Sequence, residues 1–70
     1  MDRYEVVELV GELFEDDESK NAVAFDFDDR ITWIPRSLIK DMCEHEDYSP
    51  LTPLFYVTVP EWFAEQEGLI

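Results

Sequence analysis

The sequence predicts an α+β fold: an antiparallel sheet of three to four strands carrying two short helices. Apolar residues alternate with period two in the first half of the chain, as they do in strands with one face inward. Two later stretches, each opened by a proline, group apolar residues at helical spacing. The links between these stretches are built from Asp, Glu, Asn, Ser and Pro, which suit turns.

The first strand is expected from Arg3 to Phe14, with Val7, Leu9, Gly11 and Leu13 on the inward parity and Glu8 and Glu12 on the outward one. Tyr4, Val6, Val10 and Phe14 share the outward parity, so that face is not wholly polar. Gly11 marks a bulge or bend. Glu15 to Asn21 contains no apolar residue and reads as a hairpin loop. Ala22 to Asp28 is a second strand with Val23, Phe25 and Phe27 inward and Asp26 and Asp28 outward. A tight turn at Asp28-Asp29-Arg30 leads to a third strand, Ile31 to Ile34, which completes an antiparallel meander.

Pro35 lacks the N–H that a central strand needs and suits a helix start. A helix from Arg36 to about Glu44 would gather Leu38, Ile39, Met42 and Cys43 on one face and Lys40, Asp41 and Glu44 on the other. Glu46 to Pro53 is a loop stiffened by Pro50 and Pro53. Leu54 to Val59, β-branched and aromatic, is a fourth strand. Pro60 to Glu67 is a final helix stopped by Gly68, with Glu61 at its positive N-terminus and Trp62, Phe63 and Leu69 as its apolar contacts.

Within 70 residues there are 18 acidic and 5 basic side chains, a formal net charge of −13. A single domain is expected at this length. Direct nucleic-acid binding is excluded by the charge, since a polyphosphate partner requires cations that release its counterions. Disorder is disfavoured by an apolar fraction of 46% and an aromatic fraction of 14%. So much like charge opposes compaction, and solubility alone asks for a net charge of magnitude only ~2–8 in a small domain. Cys43 is the lone cysteine, so no intrachain disulfide forms and a reducing compartment is expected. Met1 to Glu5 lacks the basic and apolar regions of a signal peptide, and no apolar run approaches the ~20 residues of a membrane helix. A cytoplasmic protein is the expectation.

Enzymatic chemistry finds little support. The sole histidine, His45, is flanked by Glu44 and Glu46 and reads as solvated, and Cys43 points away from it on a helix and reads as a core thiol. Asp26-Phe27-Asp28-Asp29 resembles the opening of a calcium loop, but Ile31 stands where glycine is required and Ser37 where the bidentate glutamate belongs. The acids lie in loops and on outer faces, where nothing separates their pKa values for acid–base work. No cofactor and no metal are expected.

What remains is the grouping of negative charge. Glu15, Asp16, Asp17 and Glu18 form one block, Asp26, Asp28 and Asp29 a second, and Glu44, Glu46 and Asp47 a third. Glu61, Glu65 and Glu67 line the last helix, and Glu8 and Glu12 add outward strand charges. Same-face strand residues lie ~6.6 Å apart and helix neighbours ~5–6 Å apart. DNA carries a charge every ~3.4 Å of axis on each strand. Rows of carboxylates can therefore imitate a phosphate row and be steered into a basic groove. The first three blocks are the candidate contact residues. The plain alternative is that they are solvated faces. Among the aromatics, Trp33 reads as core and Trp62 as core or contact. A second possibility is a small homodimeric module joined through Trp62, Phe63, Leu69 and Ile70.

The segments ITWIPRSLI (Ile31 to Ile39) and VTVPEWFAEQEGLI (Val57 to Ile70) resemble a pattern in short phage and prophage proteins, which implies a mobile-element origin and a bacterial host cytoplasm. In type, a very acidic, cysteine-poor small domain is similar to the DNA-mimicking anti-CRISPR proteins. That resemblance implies an inhibitor whose partner is the basic DNA-binding surface of a CRISPR effector such as Cascade. The charge itself argues against a membrane role, since an anionic surface would repel this chain, and a monomeric or homodimeric state is expected.

Overall fold

The structure, a computed structural model, describes residues 5–70. The period-two pattern of the first segment makes strand β1, Val6–Asp17; its expected start at Arg3 lies outside the described residues. β1 continues three residues past the expected end. Its register with the next strand skips from Leu13 to Glu15, so Phe14 is the extra residue of a β-bulge. The bulge therefore sits at Phe14, not at Gly11. It carries Glu15, Asp16 and Asp17 into the sheet rather than into the hairpin loop expected there. The turn itself is one 3₁₀ turn, Glu18–Lys20, closed by Asn21 at φ 53°.

β2 (Ala22–Phe27) and β3 (Arg30–Pro35) follow as a hairpin. The expected helix from Arg36 to Glu44 is not formed. In its place stand a 3₁₀ turn, Arg36–Leu38, and a short strand, β4 (Asp41–Glu44). β5 (Leu54–Pro60) and helix α1 (Glu61–Gln66) close the chain. The result is one antiparallel five-stranded sheet in the order β3-β2-β1-β5-β4. It has one more strand and one fewer helix than expected.

Pro35 is accommodated inside a strand because β3 is the sheet edge, where a missing N–H leaves no ladder bond unmade. Met42 pairs with Val57 and Cys43 with Tyr56. Two residues that would have shared a helix face thus alternate across the outermost strand, and Cys43 is exposed instead of buried.

Val23, Phe25, Phe27, Ile34, Val57 and Val59 project from one side of the sheet onto Phe63 and Ala64 of α1. Val7, Leu9, Leu13, Leu38, Ile39, Phe55 and Leu69 pack around them. Gly11 lies on this side because the Phe27 ring crosses it: an added Cβ would stand 2.5 Å from Phe27 Cε1. At the head of α1, burial first and then Glu5 and Glu65 push the Glu61 carboxyl above its usual range. Among the described residues no helix is long and apolar enough to cross a membrane.

Candidate functional site

Residues directly paired across a sheet share a face, and this rule assembles the face opposite α1. One row runs Ile31–Asp26–Glu12–Leu54 across β3, β2, β1 and β5. A second runs Val10–Tyr56–Cys43 and a third Glu8–Thr58–Asp41. Beyond the bulge, Trp33–Ala24–Glu15 and Pro35–Ala22–Asp17 complete the grid. Carboxylates from three strands, β1, β2 and β4, thus alternate with Val10, Tyr56, Trp33 and Ile31 on a surface that no described helix covers.

The sheet is staggered about Glu12. β1 pairs with β5 from Val6 to Glu12 and with β2 from Glu12 to Asp17. The offset brings the β2–β3 turn back beside the middle of β1. Val10, Gly11, Glu12, Asp26, Asp28, Asp29 and Leu54 then line a shallow depression of about 510 Å³. Asp26 Oδ1 is buried there without a hydrogen-bond partner. Asp28 and Asp29 take left-handed backbone, φ 52° and 67°. This is the geometry of a two-residue hairpin turn that ordinarily selects Asn-Gly or Asp-Gly. Among the described residues no group of three or more His, Cys, Asp or Glu side chains is arranged to hold a metal ion.

The structure brings together Glu15, Asp17, Asp26, Asp28 and Asp29 from the candidate blocks. Glu46 joins them through Tyr56, whose hydroxyl donates to Glu46 Oε2 at 2.5 Å. That bond holds the Glu46 carboxyl below its usual range and raises the Tyr56 hydroxyl to about 12. His45 stacks on the Tyr56 ring with centroids 4.7 Å apart, and its Nδ1 accepts the Asp47 N–H at 3.0 Å. Asp47 therefore belongs to a local turn. Asp16 is opposed to core-facing Val23 and pairs with Arg36, so it points to the other side of the sheet. Glu44, opposite Phe55, does the same. Glu18 lies in the 3₁₀ turn.

Glu8, Glu12 and Asp41 belong to this face but not to the candidate set. The parity of β1 already marked Glu8 and Glu12 as outward, whereas Asp41 was hidden by the expected helix. Trp33 is half-buried on this face and not in the core, with Lys20 Nζ 4.6 Å from its ring centre. The Asp17 carboxyl is held below its usual range chiefly by the Ser19 hydroxyl, which donates at 2.6 Å. Of the four residues of the homodimer contact, Phe63 is buried in the core and Leu69 packs against it, while Trp62 and Ile70 stay exposed. No protein-family model matches the chain, and no curated protein or solved structure matches it either.

Proposed function

We propose that this protein is an acidic inhibitor that imitates duplex DNA and occupies the DNA-binding surface of a nucleic-acid-binding target, with a CRISPR effector such as Cascade as the target class. The reading is supported above all by the uncovered sheet face, where Glu8, Glu12, Glu15, Asp26 and Asp41 stand in rows at strand spacing. Among the described residues no ion pair reaches the carboxylates of these rows. Arg36 pairs with Asp16 on the other side, Arg30 is opposed to core-facing Phe27, and Lys20, at the margin, lies over Trp33 and 3.9 Å from Asp17. The left-handed Asp28-Asp29 turn adds weight, because glycine would relax it and only the carboxylates would be lost.

The test is target-duplex binding by a guide-loaded Cascade effector titrated with this protein. Wild type is expected to displace the duplex, with an inhibition that weakens steeply as salt rises. The variant Glu15→Gln/Asp26→Asn/Asp28→Asn/Asp29→Asn is expected to lose inhibition while its circular dichroism is unchanged. Asp16→Asn, on the opposite side, is expected to retain it. Inhibition that survives the fourfold neutralisation would end the duplex-mimic mechanism.

A further inference from the structure

Only Glu12 of β1 has strand partners on both sides. From Val6 to Gly11 the strand is paired with β5 alone, because β2 ends at Phe27 and leaves through the Asp28-Asp29 turn. Burial records the gap. Val57 and Val59 of β5 are 0% exposed, whereas Leu9 and Val7, their partners on the same core-facing side, remain partly exposed. Among the described residues no backbone hydrogen bond outside the strand ladders reaches Val6 to Gly11. A strand in the middle of the sheet order therefore presents a free edge along half its length, with alternate N–H and C=O groups aimed into the gap.

Free edges are templates for another strand, and proteins commonly guard them with charge. Here the guard has one sign. Glu8 and Glu12 flank the edge on the open face, and Asp28 and Asp29 stand at the corner where β2 turns away. Such a guard repels a second copy of this chain and attracts a cationic strand. On the opposite side Val7 and Leu9 offer half-covered apolar surface that an added strand would complete.

We propose that this edge is a docking site for an extended peptide segment of a partner protein, added in the plane of the sheet beside Val6 to Gly11. Its side chains alternate. Arg or Lys lies on the open face against Glu8, Glu12 and Asp28, and an apolar residue lies on the core side against Val7 and Leu9. This inference does not rest on the duplex-mimic reading, although Glu8, Glu12 and Asp28 serve both: it needs the unpaired backbone edge, which a duplex mimic does not.

The probe is a synthetic peptide of about eight residues, long enough to span the free edge, alternating Arg and Val with blocked ends. Its control is the same peptide N-methylated on the amides that would face β1. The 70-residue chain is followed by amide hydrogen exchange and titration. The unmodified peptide is expected to bind and to slow exchange within Val6 to Gly11. The methylated one, with its charge intact, is expected to bind at least about tenfold more weakly, since several net hydrogen bonds are lost. Equal binding of the two peptides would overturn the proposal, as would protection confined to β3 or β4. Protection that rises with protein concentration alone would assign the edge to a second copy and overturn it too. No duplex-binding target is present in this experiment, so its failure leaves the inhibition assay standing, and the converse holds.

Discussion

Glu12 and Asp26 are directly opposed across β1 and β2, at the one position where β1 is paired on both sides, and Asp26 Oδ1 is buried there without a partner. Like charges at such a pair oppose folding, because their Cβ atoms lie only ~4.5–5.5 Å apart. A sheet selected for stability alone would set a cation or a threonine at one of these positions. Glu12→Gln removes one charge, keeps the shape, and is expected to raise stability by about 0.2–1 kcal/mol. A urea titration checks this as a higher midpoint at unchanged slope. A lower midpoint would mean that the pair does not repel.

Gly11 is required by Phe27. Alanine there would place its Cβ 2.5 Å from Cε1 and 2.8 Å from Cδ1 of the ring. The ring belongs to the buried core and has little room to retreat. Gly11→Ala is expected to cost about 1–3 kcal/mol, the range of an overpacked core. If this contact is the cause, Phe27→Leu should absorb part of the cost. The double variant would then be less destabilised than the sum of the two single ones. Strict additivity would point to another reason for the glycine.

Much of this architecture is legible in the chain. The parity of Val7, Leu9 and Leu13, the alternation from Ala22 to Phe27, and the Pro60 to Gly68 punctuation all lead to the elements observed. The segment from Arg36 to Glu44 does not. Its apolar residues are few, and a short run fits helical spacing and a strand equally well. Pairing with β5 decides the matter, and that is a long-range event. The carboxylate rows are legible in part. Parity turns Glu8 and Glu12 outward, but the Phe14 bulge shifts the phase, and only then do Glu15 and Asp17 join that face while Asp16 leaves it. The stagger that returns Asp28 and Asp29 to Gly11 depends on register, which local spacing does not encode.

The Asp28-Asp29 turn gives a third prediction. Asp29 holds φ 67°, a conformation that a side chain opposes by roughly 1–2 kcal/mol and glycine adopts freely. Glycine in turn loses roughly 0.5–1 kcal/mol through backbone entropy. Asp29→Gly is therefore expected to stabilise the fold by up to about 1 kcal/mol, helped by the loss of a neighbouring like charge. Under the proposed function the same change is expected to weaken inhibition of duplex binding. A variant that is more stable and less inhibitory would mark Asp29 as kept for its charge. Gain in stability with full inhibition would free the turn of any such role.

The Tyr56–Glu46 bond sets a pH window. Donation to Glu46 Oε2 raises the Tyr56 hydroxyl to about 12 and lowers the Glu46 carboxyl. For Tyr56 the folded state keeps a proton that the unfolded chain releases near pH ~10, so this stabilisation is full below that pH and disappears as pH rises through about 12. For Glu46 the sign is opposite: its stabilisation is present above the ordinary carboxylate range and is lost as the pH falls through the lowered value. The raised carboxyl of Glu61 acts against Glu46 on the acid side, because its ionised form strains the fold and protonation relieves it. Ultraviolet titration of the folded protein is expected to show Tyr56 ionising late, and Glu46→Gln is expected to return it toward the ordinary range. If the late tyrosine persists in Glu46→Gln, the carboxylate does not hold it, and the link that ties the Glu46 loop to the open face is absent.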